Sequence, residues 1–161
     1  MELLGYWSRR RGSHNMPTRA EIDPIDIPRL LPHLMLTDVI DASRFRYRLV
    51  GTAIEDVAGV GMTGRYLEEV IGHIPYRDYL IDLYAAVARK RCPVFSESDF
   101  ISNDNEPVRA TQRLMLPLST DGRDVDVVLS GQVFIDRDND SPLPEPDEPF
   151  RGRVTLLLPA K

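Results

Sequence analysis

The chain has 161 residues, 42% of them hydrophobic and 28% charged, with a formal net charge of −5 at pH 7. That composition fits one soluble domain burying about 68–70% of its unfolded surface, and its acidic balance argues against a general nucleic-acid binder, which needs a basic face. A single cysteine excludes a disulfide within the chain and fits a reducing compartment; no apolar run suits a signal peptide or a membrane span, so the expected location is the cytoplasm.

Residues 2–11 place Leu3, Leu4 and Trp7 on one side of a short predicted helix, with Arg9, Arg10 and Arg11 in its last turn, where cations suit the helix dipole. Two readings fit: a docking helix whose Trp7 packs on the domain, or, with Arg19, a basic patch for an anionic partner. Prolines follow at 17, 24, 28 and 32. Each fixes its own φ and pushes its predecessor toward extended conformations, so a belt over the core, with one turn at Pro28–Leu31, replaces any long helix. Ile22, Ile25, Ile27, Leu30 and Leu31 would pin the belt, and Arg19 and Asp23 would form an ion pair. Leu34–Ile40 reads as the first strand and Asp41–Ser43 as a turn.

The stretch Arg44–Leu67, RFRYRLVGTAIEDVAGVGMTGRYL, opens as a strand with Phe45, Tyr47 and Leu49 on one face and Arg44, Arg46 and Arg48 on the other. Gly51 breaks it, Thr52 suits the N-cap of a short helix over Ala53–Ala58, and Gly59, Gly61 and Gly64 precede a small apolar helix over Tyr66–Ile71. This order resembles the front half of a PAS domain, in particular the PAS_5-type branch of small bacterial proteins, where RYRLVGT, a glycine-rich turn and TGR recur. The lead-in is similar as well: Trp7, Arg9, Arg10, Pro17, Arg19, Asp23 and Pro24 match a Trp, paired Arg and Pro-x-Arg…Asp-Pro pattern. The resemblance implies an α+β PAS fold, a five-stranded antiparallel sheet with helices on one face. Here it would carry an N-terminal helical and extended extension over 1–33, a core over 34–136, and over 137–161 an acidic proline-rich loop and an extra strand.

Gly59-x-Gly61-x-x-Gly64 also matches the dinucleotide fingerprint letter for letter. That motif needs a strand directly before it, a long helix directly after, and an acid about 20 residues on at a strand end. Here Ala53–Ala58 intervenes and Asp82 falls inside a helical pattern, so turns with positive φ are the expected use of these glycines.

Ile74-Pro75 introduces the longest helical pattern, Tyr76–Arg91, in which Tyr76, Tyr79, Leu80, Leu83, Tyr84 and Val87 recur at three- and four-residue spacing. In a PAS domain this helix walls the central cavity. Its tyrosine hydroxyls would meet either a ligand or the surface and backbone. Val94–Ile101 reads as a poorly patterned strand. In Val108–Leu118, Val108, Ala110, Leu114, Leu116 and Leu118 share one face and Arg109, Thr111 and Arg113 the other. Gln112 falls among the apolar set, where an unpaired amide would cost about 1–3 kcal/mol; it would meet a polar ligand, a backbone carbonyl or a water. Asp121-Gly122 marks a hairpin turn into Asp124–Ile135, whose inner face would be Val125, Val127, Leu129, Val133 and Ile135, with Gly131 leaving room. Arg137–Pro149 reads as a loop or spacer. Val154–Leu158 would return across the sheet or pair with another subunit.

By resemblance the chain is a stand-alone sensory or interaction module without an output domain of its own, signalling through a homodimer or a protein partner. A small-molecule ligand would sit among Phe45, Tyr47, Tyr66, Tyr79, Leu83, Phe95 and Gln112. The partner surface would comprise Trp7 and Arg10 of the first helix and Arg46, Arg48, Arg109 and Arg113 of the sheet. No histidine falls in the long helix, as a haem-bearing PAS domain would need. Cys92 lies beyond that helix, away from the Asn-Cys setting of a flavin photosensor. His14, His33 and His73 show no metal spacing, and no Ser/His/Asp or Cys/His set can be assembled. The expectation is no cofactor, no metal and no catalytic residue. Two alternatives are a constitutive dimeric adaptor whose cavity is filled by its own side chains, and a hot-dog-like thioester enzyme. The latter wraps its sheet around a central helix, with Asp78 or Asp82 as the acid.

Overall fold

The computed structural model describes residues 2–105, 107–136 and 150–157. The chain runs through α1 (Glu2–Arg11), three short 3-10 turns between Arg19 and His33, β1 (Leu34–Val39), β2 (Phe45–Val50), α2 (Thr52–Ala58) and α3 (Leu67–Val70). It continues through α4 (Ile74–Lys90), β3 (Val94–Ile101), β4 (Pro107–Leu118), β5 (Val127–Ile135) and β6 (Gly152–Leu156). One antiparallel sheet results, in the order β2-β1-β5-β4-β3-β6. The sixth segment thus pairs with β3 of its own chain. The expected loop over 137–149, and Leu158 at the end of the expected sixth strand, lie outside the described residues.

Element ends follow local chemistry. Gly51, not Thr52, takes the N-cap position of α2. The belt passes so close there that a Cβ on residue 51 would lie 2.6 Å from the Leu31 carbonyl oxygen, with the Pro32 carbonyl closer still. Gly59 ends α2 in the left-handed region, at φ 72°. α4 begins two residues before its apolar pattern because His73 caps it, Nδ1 accepting the Tyr76 backbone N–H at 3.2 Å, with Pro75 in the first turn.

Ile22 and Ile27 pin the belt, whereas Ile25 is 82% exposed and Leu31 also faces solvent. The expected Arg19–Asp23 pair does not form. Arg19 donates to the Ile22 carbonyl at 3.0 Å and Asp23 accepts the Ile25 N–H at 2.9 Å, each serving its own turn. The belt is tied to α1 instead: the Tyr6 hydroxyl accepts the Asp23 N–H at 2.9 Å, and Arg10 pairs with Asp26.

The largest departure concerns which side of the sheet looks toward α4. α2, α3 and α4 cover one face, where Thr37, Thr111, Arg113, Ser130 and Gln132 are all buried. α1 and the belt cover the other. Leu3 lies over Gly131, where a Cβ would sit 2.6 Å from Leu3 Cδ2, and the Trp7 indole N–H donates to the Pro117 carbonyl at 2.9 Å. The strand register places Val127, Leu129, Val133 and Ile135 on this outer face, together with Leu114, Leu116 and Leu118; Val125 precedes the strand. The expected inner face is therefore the outer one. Strict alternation identifies which residues share a face, but when both faces are covered it does not say which cover lies where.

α4 lies across one face of the sheet rather than inside a wrapped one, and Asp78 and Asp82 both point to solvent. This removes the hot-dog alternative.

Candidate functional site

Of the residues expected to line a ligand cavity, Tyr47 does line the space between the sheet and α4. Phe45 and Leu83 are buried in the same core, the Phe45 ring stacked on Tyr84 at 5.1 Å. The other four lie elsewhere. Tyr66 precedes α3 and lies half-buried beneath the Arg44 guanidinium, 4.0 Å from its ring centre. Tyr79 packs on Phe150 at 4.9 Å, against the backbone of Gly152. Phe95 and Gln112 sit on the outer face, for the reason given above. Gln112 there donates to Glu97 Oε1 at 2.8 Å, and Arg153 binds the other oxygen of the same carboxylate. These three residues are cross-strand neighbours on β4, β3 and β6. The Gln112 amide first, then Arg153, holds Glu97 below the usual carboxylate range.

The partner-surface residues also divide. Trp7 and Arg113 are only 4% and 5% exposed, so neither presents a surface. Arg46 and Arg48 both reach Asp38, at 3.0 and 2.6 Å. A bulge lets them do so: the register jumps between Leu36 and Thr37 and leaves Arg48 unmatched, beside Arg46 on one face. Arg109 pairs with Asp136 at 3.5 Å, and Arg10 with Asp26. The glycine-rich turn is closed by an acid of its own. Glu55 accepts from the Met62 and Thr63 amides at 2.7 and 3.0 Å, and these bonds lower its pKa. A carboxylate thus occupies amides that a phosphate would want.

The centre of the molecule is a polar cluster facing α4. Arg113 donates to the Tyr76 hydroxyl and, at 3.0 Å, to the Ser98 hydroxyl. Gln132 donates to Thr111 at 3.0 Å, which in turn donates to the Val133 carbonyl at 3.0 Å. The Thr37 and Tyr84 hydroxyls share a hydrogen bond of 3.1 Å. Burial pushes the Tyr76 phenol up to about 12 despite the neighbouring Arg113, and raises Tyr47 and Tyr84 as well. All three therefore keep their protons at neutral pH. What remains between these side chains is a cavity of about 20 Å³, whose polar lining is Tyr47, Tyr76, Tyr84, Arg113, Ser130 and Gln132. The readable trace of this cluster was the polar row Thr111–Arg113 and Ser130–Gln132 in otherwise apolar strands. A charge in a strand ordinarily marks the solvent side, which hid it.

The PAS domain model matches residues 1–132 of the chain. No curated protein matches it. Among solved structures, the PAS domain of Bordetella pertussis BvgS aligns with a TM-score of 0.53 at 19% identity, covering 72% of this chain and 89% of that one. At that identity the likeness speaks for the fold alone.

Proposed function

Because the chain belongs to the PAS domain family, we propose that it acts as an interaction module of the sensory class, its interior closed by its own side chains and its signal passed through a docked protein. The observation that carries this reading is the inner cavity. At about 20 Å³ it is far below the roughly 300–1,000 Å³ of small-molecule sites. A metabolite would have to displace Tyr76, Tyr84 or Met115, all fully packed. This favours the adaptor alternative over a core that holds a metabolite, and it calls on no catalytic residue. The lone thiol, Cys92, is buried and supports a reducing, cytoplasmic setting.

The docking face is the outer sheet beyond α1. Val133 and Ile135 are 47% and 50% exposed there, and a groove of about 230 Å³ runs past Phe95, Gln112 and Leu114. Beside them the Glu97–Arg153 pair supplies one charge of each sign. An apolar strip with a rim of both signs complements itself under two-fold rotation, so the occupant is a second copy of the chain.

Sedimentation equilibrium tests this. The wild type should self-associate, and Ile135→Asp should weaken association at least tenfold, about 1.4 kcal/mol, with the unfolding midpoint unchanged. A wild type that stays monomeric throughout, or neutral metabolites that stabilise it in proportion to their concentration, would overturn the reading.

A further inference from the structure

We infer that the void beside Arg113 is a binding site for one compact monoanion, of halide or formate size. Arg113 is 5% exposed; among the described residues its guanidinium donates to two neutral hydroxyls, those of Tyr76 and Ser98, and lies 5.7 Å from the centre of the Tyr76 ring. Among the described residues no carboxylate stands within ion-pair distance of it. Arginine does not shed its proton in proteins, and a buried charge without a counter-ion is strongly unfavourable.

Among the described residues the cavity lining contains no acid. It is rich in hydrogen-bond donors. The Tyr76 oxygen accepts from Arg113, which leaves the phenol's own proton to donate. Ser130 Oγ is buried beside the Tyr84 hydroxyl. Gln132 spends one amide hydrogen on Thr111 and keeps another. The space of about 20 Å³ admits one occupant of roughly water size. A water would answer the hydrogen bonds and leave the charge. A small anion answers both. The inference is independent of the docking reading, because such an ion can sit in a monomer or a dimer.

Thermal unfolding of the full chain reads it, at fixed ionic strength in gluconate with chloride, bromide, formate or acetate exchanged in. The expected result is a Tm that climbs with the concentration of the compact anions and not with gluconate. Arg113→Met, which keeps the length and removes the charge, should abolish that dependence. A response to the halides alone assigns a halide; a response to formate and not to the larger acetate assigns a carboxylate head of formate size, and a response to acetate equal to that of formate overturns a site in this void. Should Arg113→Met not fold, wild-type crystals grown in bromide and in formate decide the matter. Anomalous density for bromide, or a formate, among Arg113, Tyr76 and Ser130 supports the site. An equal Tm in every anion, or a void that holds water only in both crystals, overturns it.

Discussion

Trp7 separates the two roles open to the first helix. If it packs, replacing it harms the fold; if it greets a partner, replacing it harms only binding. It is 4% exposed and donates to the Pro117 carbonyl at 2.9 Å, across the outer face of the sheet. Trp7→Ala removes a whole buried indole, which costs about 3–5 kcal/mol, a large part of the roughly 5–15 kcal/mol that holds a domain together. Trp7→Phe keeps much of the apolar area and deletes only the N–H. Its expected cost is about 1–3 kcal/mol, that of leaving a buried carbonyl unpaired. Urea unfolding followed by far-UV circular dichroism measures both, since Trp7 is the single tryptophan and fluorescence goes with it. The midpoint should fall in the order wild type, Phe, Ala, at constant m-value. A Trp7→Ala protein within about 0.5 kcal/mol of wild type, the range of neutral surface changes, would refute the packing argument.

Two further outcomes follow from geometry already described. Gly51→Ala should lose about 1–3 kcal/mol by overpacking, read as a lowered Tm, because the new methyl meets the Leu31 and Pro32 carbonyls; the φ of −67° at this position is ordinary, so the cause is space and not backbone strain. Glu55, whose pKa is lowered from 4.5 by the Met62 and Thr63 amides, contributes stability that is complete above the ordinary carboxylate range and lost as pH falls through its depressed folded value. Glu55→Gln should therefore show a shallower loss of stability on acidification than wild type in a series of unfolding curves below pH 5.

Punctuation in the sequence was legible. The prolines of the belt, Gly59 and Pro75 mark boundaries through φ and a missing N–H, which are properties of one residue. In β2 the alternation gave the right side for Phe45 and Tyr47, apolar against flanking arginines, but not for Leu49, which the bulge at Arg48 carries to the outer face, where it is 47% exposed. In β4 and β5 the same rule paired residues correctly and assigned them to the wrong layer. The apolar row needed a cover, and the extension supplied it where α4 was expected to. Gln112 was singled out correctly as anomalous, but its partner Glu97 is 15 positions away and is fixed only by the β3–β4 register. Arg113 left only the polar row it shares with Thr111, which says nothing of which side is buried. A guanidinium in a strand looks the same on paper whether it meets water or the phenol of Tyr76.

Because the greasier side of the sheet rests on α1 and the belt, a fragment cut at Leu34 would be no smaller version of this protein. It would bare Leu34, Leu36, Leu114, Leu116 and Leu129 as one continuous slab, wider than a soluble monomer tolerates. Such a truncation should precipitate or recruit a substitute lid. Any expression design must therefore keep the first thirty-odd residues as part of the fold.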